Sequence, residues 1–290
     1  MSLAGRIAPF LLGVLGFVIV SIASFFLPPE YLIWEVLLLI FLLFIFFFYC
    51  ILRWQYYRKL KLLDPEHKLF KDLGSKAPGT YQHSLQLSTL ALYAARNFPE
   101  IDLLDLRLGC LLHDIGKLRQ PEYFTENQEG DEDKFGDKHV ERRRELILRH
   151  SLDGLEIAKD YKVPKDLWHY IETHHGTSLT GFYYRLKEHD AEAREEDYRY
   201  PGPKPKTLEA AILMLADSVE AATRSKAGKE LKVVVDKVFR EKEEDGQLDE
   251  VGDLTYEKLD IIKKAFLEVL KTVYHERVER DDEKTRTTIS

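Results

Sequence analysis

The chain has 290 residues, with 42 Lys and Arg against 49 Asp and Glu and a formal net charge of -7. That balance argues against a binder of nucleic-acid polymers, which would carry a basic field. Two cysteines, Cys50 and Cys110, are too few for a disulfide framework or a cysteine-zinc finger, so a reducing, cytoplasmic setting is expected for the charged part.

Charge falls into two regimes. Residues 1–52 are almost free of it and the rest is dense with it. Pro9 to Leu27 form one uncharged stretch. After Pro28-Pro29-Glu30 a second apolar run goes from Tyr31 to Leu52, broken by Glu35. Each is close to the roughly 20 residues a helix needs to cross the hydrocarbon core. The expectation is a two-helix transmembrane hairpin over 1–52. A secretory signal followed by a buried helix is the alternative, disfavoured because the first run is long and no small-residue cleavage site follows it. Arg53, Arg58, Lys59, Lys61 and Lys68 follow the second run, Arg6 precedes the first, and the connection has no cation. Both ends are therefore expected in the cytoplasm. Trp34, Trp54, Tyr56 and Tyr57 fall near the interfaces, and 53–63 reads as a basic juxtamembrane linker.

The remainder, 64–282, reads as one all-α domain with a tail over 283–290. Apolar spacing predicts helices from Ser84 through Ala95, over Leu103–Leu112, Leu146–Tyr161 and Lys165–His174, from Thr207 through Val219, and over 229–243 and 255–280. Thr207 and Thr255 are expected N-caps, and Gly116 and Gly176 are expected stops. No sustained period-two alternation appears, so no sheet is expected. Residues 125–139 and 187–206 read as loops.

Seven residues in or beside these helices stand out: His83, His113, Asp114, His150, His174, His175 and Asp217. A lone histidine is usually surface or hydrogen-bonded core, but the His113-Asp114 and His174-His175 dyads make clustering the better reading. Asp217 lies within Ile212–Val219, where an unpaired carboxylate would be costly and a metal would offset the cost. Imidazole with carboxylate and no thiolate suits iron, manganese, zinc or nickel. The donors outnumber what one tetrahedral ion takes, which favours two metals sharing a carboxylate. Two such ions point to phosphoester hydrolysis. Lys117 lies one turn past His113 if that helix continues, placed to reach a phosphate or the leaving group, or simply to complement the helix dipole.

The order His83, His113-Asp114, Asp217 resembles the HD phosphohydrolase superfamily. The strings Ala77–Ser84, His113–Lys117, Glu126-Asn127-Gln128, His174–Thr177, Tyr200–Pro205 and Gly246–Asp249 resemble the cytoplasmic domain of the seven-transmembrane HD hydrolases, bacterial cyclic di-AMP phosphodiesterases of the PgpH type. The likeness covers about 62–280. It implies an HD-type helical domain in which His83, His113, Asp114 and Asp217 hold one iron or manganese ion. His150, His174 and His175 hold the other, with Asp114 bridging. A bridging hydroxide would open cyclic di-AMP to pApA, with Asp114 and Lys117 catalytic. It also implies a bacterial cell membrane as the location.

The chain departs from the family in having Gln82-His83 where His-His is common, and two expected spans instead of seven. It is either a natural short form or a piece of a longer chain, and sensing from outside is not expected of it. Arg142-Arg143-Arg144-Glu145 is also more charged than the likeness implies. Tyr81, Tyr184, Lys204 and Arg224 are the candidate substrate contacts, and a homo-oligomer is compatible with the sequence. The alternatives are an HD hydrolase of cyclic di-GMP or a nucleotide monophosphate, or a silent dinucleotide-binding signalling module.

Overall fold

The computed structural model describes residues 32–128, 140–181, 183, 193–224 and 230–288, together with 13, 16, 22, 28 and 30. Apart from helical Gly13, Gly16 and Ile22, the first expected span lies outside the described residues. So do residues 129–139, 182 and 184–192, Tyr184 among them. The chain divides into two units, Met1–Lys61 and Leu62–Ser290.

The first unit contains helix α1, Leu32–Leu62. Its stretch Ile33–Leu62 has a mean hydropathy of 2.9 in its most apolar window, and none of that window is buried. It is the one helix among the described residues long and apolar enough to cross a membrane. The segment expected as a linker, 53–63, is helical nearly throughout. Its Arg, Lys, Leu, Tyr and Gln residues are compatible with a helix, and nothing breaks it before Asp64-Pro65. At 1.5 Å per residue, 31 residues exceed the hydrocarbon thickness, so the basic end extends into the polar layer of any membrane it crosses. There Arg58 lies over the Trp54 ring at 4.9 Å and Arg53 over Tyr57 at 5.3 Å.

The second unit is helical. Its helices are α2 Lys68–Lys76, α3 Pro78–Ala95, α4 Leu103–Leu112, α5 Val140–Asp160, α6 Trp168–Thr173, α7 Leu208–Arg224, α8 Leu231–Glu244 and α9 Tyr256–Thr288. Short 3₁₀ turns join several of them. No strand occurs among the described residues, only an isolated bridge between Leu179 and Arg199. Helix α3 begins six residues before the expected Ser84, with Pro78 pre-setting the backbone of its first turn. Helix α5 begins before Leu146, because the arginine run continues the helix instead of capping it. Helix α9 reaches Thr288 and takes in most of the expected tail. Short α2 went unpredicted, although it buries Leu69, Phe70 and Leu73.

Expected caps are present. Thr207 Oγ1 accepts from Ala210 N at 3.3 Å, and Thr255 Oγ1 accepts from Lys258 N at 3.2 Å. Asp102 caps α4, accepting from the backbone N–H of Leu104 and Asp105. Helix α7 is central. Ala210 through Ala216 are all buried, so the helix is apolar on every side over two turns, as a core helix must be. It packs against α3, α4, α6 and α8, and α3 also packs against α4 and α9. These neighbours aim the polar residues of the sequence strings at one interior point.

Candidate metal centre

Local chain geometry positions the His113-Asp114 dyad. His113 caps α4 with helical dihedrals, whereas Asp114 leaves the helix at φ -107°, ψ 14°. The helix therefore does not continue to Lys117; the 3₁₀ turn Ile115–Arg119 takes over. Gly116 is not a left-handed stop. A Cβ there would meet His150 O at 1.8 Å, so glycine is what lets this turn lie against α5. Gly176, in contrast, does end its segment in the left-handed region, at φ +54°.

His113, His150 and His174 share one device. Each Nδ1–H donates to the carbonyl three residues back: Cys110 O at 2.8 Å, Ile147 O at 2.7 Å and Ile171 O at 2.8 Å. That bond leaves the Nε2 lone pair facing the interior. His83 is oriented instead by a carboxylate, with Nδ1 2.6 Å from Glu220 Oε2. His175 stacks on the Tyr200 ring at 4.1 Å.

All seven residues converge. Asp114 Oδ1 lies 3.2 Å from His150 Nε2 and 3.4 Å from His174 Nε2. Asp114 Oδ2 lies 3.2 Å from His113 Nε2 and 4.0 Å from His83 Nε2. Asp217 Oδ1 is 3.0 Å from His83 Nε2 and 3.9 Å from His113 Nε2, and its Oδ2 is 3.5 Å from His175 Nδ1. Two donor groups result, one of Asp114, His150, His174 and His175 and one of His83, His113 and Asp114. Asp114 belongs to both.

The donors fit divalent metals. His113 Nε2 and Asp114 Oδ1 are buried without a hydrogen-bond partner. The Nε2 atoms of His150 and His174 are 3.0 Å apart while both Nδ1 atoms carry the proton, an arrangement that repels unless a cation sits between them. Burial lowers His174 to about 4, despite the nearby Asp114 carboxylate, and burial together with His174 holds His175 well below the usual imidazole range. Both are thus neutral donors near pH 7. Burial alone would raise Asp114 and Asp217. Lys117 and His113 outweigh it at Asp114, and the bond from His83 does so at Asp217, so both stay ionised.

A cavity of about 440 Å³ opens onto this cluster, within the usual size for a small-ligand site. His83, His150, His175 and Asp217 line it, with Lys117, Tyr200, Arg143 and Arg224. Lys117 Nζ is held 2.8 Å from Asp114 Oδ2 and 2.6 Å from Glu126 Oε1. Glu126 also accepts from Thr80 Oγ1, and Asn127 Oδ1 accepts from Thr80 N. Gly79 permits that contact, since a Cβ there would meet Glu126 O at 1.7 Å.

Of the candidate substrate contacts among the described residues, Arg224 alone lines the cavity. Tyr81 packs on the core and stacks with Phe70 at 6.1 Å. Lys204 Nζ donates to Gly246 O at 2.7 Å and so fixes a turn. Tyr184 lies outside the described residues. Three residues of the site went unassigned from sequence: Glu220, Tyr200 and Arg143. Glu220 was legible in principle, three positions past Asp217 on one face of α7.

These features define a helical domain built around a centre of imidazoles and carboxylates suited to divalent metal. A family model for the HD domain matches residues 80–222. The chain is 39% identical over 226 residues to cyclic-di-AMP phosphodiesterase PgpH of Bacillus subtilis, covering 77% of this chain and 32% of that protein. To PgpH of Listeria monocytogenes it is 38% identical over 231 residues, 78% of this chain and 32% of the relative. The chain thus spans about a third of the length of these curated relatives. The crystal structure of the L. monocytogenes PgpH HD domain in complex with cyclic di-AMP superposes with a TM-score of 0.68 at 38% identity, covering 73% of this chain and 100% of that one. The chain belongs to the HD-domain family, and its HD domain is of the PgpH kind.

Proposed function

We propose that this chain is a phosphodiesterase that hydrolyses cyclic di-AMP to linear pApA at a centre of two divalent metal ions, iron or manganese. The observation that carries the reading is the division of Asp114, whose two oxygens face two different histidine groups 3.2 Å away on either side. One ion would be held by His83, His113, Asp114 and Asp217. The other would be held by His150, His174 and His175 with Asp114. When bound, such ions neutralise charge on phosphate oxygens and lower the pKa of a water.

The chain supplies the rest. Burial of the cluster strengthens each electrostatic contact within it. Bonds to Asp114 and Glu126 outweigh burial at Lys117 and keep it protonated, so Nζ can donate to a phosphate or leaving oxygen. Stacked His175 and Tyr200 form a flat wall beside the cluster. Water adds across one P–O bond of the ring, and the ring opens. In the same reading α1 anchors the domain in a bacterial cell membrane with the site on the cytoplasmic side, supported by the cations that end α1.

Incubation of the full chain with manganese and cyclic di-AMP, followed by chromatography, should yield pApA. Absence of turnover with iron, manganese and cobalt alike would sink the proposal.

A further inference from the structure

Glu126 and Asn127 belong to a string that the metal centre itself does not use. Both lie on the 3₁₀ turn Thr125–Asn127, and Thr80 in the first turn of α3 clamps that turn. Asn127 Oδ1 accepts from Thr80 N at 3.0 Å, and its Nδ2 donates to Thr80 Oγ1 at 2.9 Å. The same hydroxyl donates to Glu126 Oε1 at 3.3 Å. One carboxylate oxygen is thereby fixed to α3, and this is the oxygen that accepts from Lys117 Nζ. An ammonium has three N–H donors. Asp114 Oδ2 at 2.8 Å and Glu126 Oε1 at 2.6 Å engage two of them. Two fixed corners of a tetrahedron fix the others, so Lys117 has one N–H left and cannot turn it. The Phe124 ring, 5.1 Å from Nζ, closes one side of the group. Lys117, Phe124 and Glu126 all line the cavity with His150 and Asp217.

We propose that Glu126 is a positioning residue that aims the remaining N–H of Lys117 at the leaving oxygen of the scissile diester. The role rests on the phosphodiesterase reading above, and it decides between the two acceptors left open there for Nζ. A single fixed donor serves a single acceptor. It lowers a barrier most where charge develops during the reaction, which is the leaving oxygen. For cyclic di-AMP this is the ribose 3′-oxygen, which pApA carries as a free hydroxyl. The water oxygen bonds to phosphorus, the bond from phosphorus to the 3′-oxygen breaks, and the Nζ proton passes to that oxygen. The proton that the water gives up restores the ammonium. Without the Glu126 carboxylate, Nζ keeps only the Asp114 contact and rotates about its Cε–Nζ bond, so no N–H is held on the leaving oxygen.

The test compares wild type, Glu126→Gln and Glu126→Asp as full chains with manganese. The substrates are cyclic di-AMP and a series of methyl aryl phosphates whose leaving phenols run from p-nitrophenol to phenol. Glu126→Gln should lower kcat on cyclic di-AMP about 10- to 100-fold, part of what a positioned acid contributes, with KM little changed. Across the aryl series its kcat should fall more steeply with the basicity of the leaving phenol than wild type's does, because poor leaving groups need the proton most. Glu126→Asp should give an intermediate slope, and it reads the role if the amide variant does not fold. Metal content should stay at the wild-type value in both. An unchanged slope, or a loss of equal size at every phenol, would overturn the role, since a merely structural fault weakens all esters alike. A wild type that cleaves the aryl series but not cyclic di-AMP would overturn the proposed substrate, while the slopes would still decide the role of Glu126. A wild type inert on every ester would overturn both.

Discussion

Asp114 and His150 meet across the centre at 3.2 Å, Oδ1 to Nε2, although 36 positions separate them in the chain. His113 stands at the same distance from the carboxylate's other oxygen. One side chain therefore couples two donor groups.

Asp114→Ala should remove both metals, whereas His174→Ala should remove one. Elemental analysis of the purified variants reads this directly. Retention of two ions by Asp114→Ala would refute the shared-ligand reading. Activity should fall below detection in Asp114→Ala, because the loss empties both halves of the centre.

Glu220 acts through His83, holding its Nδ1 at 2.6 Å. Glu220→Gln keeps the shape and weakens the bond. Outer partners of this kind are worth about 10- to 100-fold in metal affinity. Competition with a chromogenic chelator should show a loss of that size for one ion. Equal affinity would reduce Glu220 to a packing role.

Gly116 sits where a Cβ would overlap His150 O, and Gly154 faces it from α5. Gly116→Ala must push the turn and the helix apart, and overpacking of this kind costs about 1–3 kcal/mol. At about 2–4 °C per kcal/mol for a domain of this size, Tm should drop by several degrees. Because His150 moves with α5, metal content should fall as well. A variant as stable as wild type would show that the contact is not closely packed.

Metal uptake should release a proton. Burial opposes charge on His83, but its bonds to Asp217 and Glu220 prevail and raise it to about 10. His174, at about 4, starts neutral. The metal-free chain at pH 7.5 therefore carries a proton on His83 that a metal must displace, and none on His174. Calorimetry in buffers of different ionisation enthalpy should find roughly one proton released per chain, falling toward zero as pH passes 10. No release at pH 7.5 would contradict the charge state of His83.

Much of the site was readable as residue types at helical positions. His113-Asp114 and His174-His175 were conspicuous because polar dyads interrupt apolar runs, and the structure gathers all seven chosen residues. What failed was inference from nearness in sequence. Tyr81 is two positions from His83, yet residues two apart on a helix point to different faces, and it turns to the core. Lys204 lies in a string that marks the site but spends its ammonium on a turn. Arg143 stood out only as part of a run more charged than the likeness implies, because nothing in a triple arginine says which one is buried. The end of α4 at Leu112 was legible as the last residue of the apolar run, but the 3₁₀ turn that follows it was not. Gly116 looked like a helix stop, while its actual constraint is a contact with α5 that no local pattern encodes.

Gln247 is fully buried and lies in the turn after α8. Its Oε1 accepts from Thr177 N at 2.9 Å, and its Nε2 donates to Thr177 Oγ1 at 3.0 Å. Arg199 Nη1 donates to Thr177 O at 2.9 Å from the other side. The stretch directly after His174-His175 is thus pinned by residues far down the chain, and Gln247 lies outside the matched 80–222 region. A fragment cut at the edge of that region would free the histidine pair to wander. The smallest piece worth expressing for metal chemistry accordingly extends past Gln247.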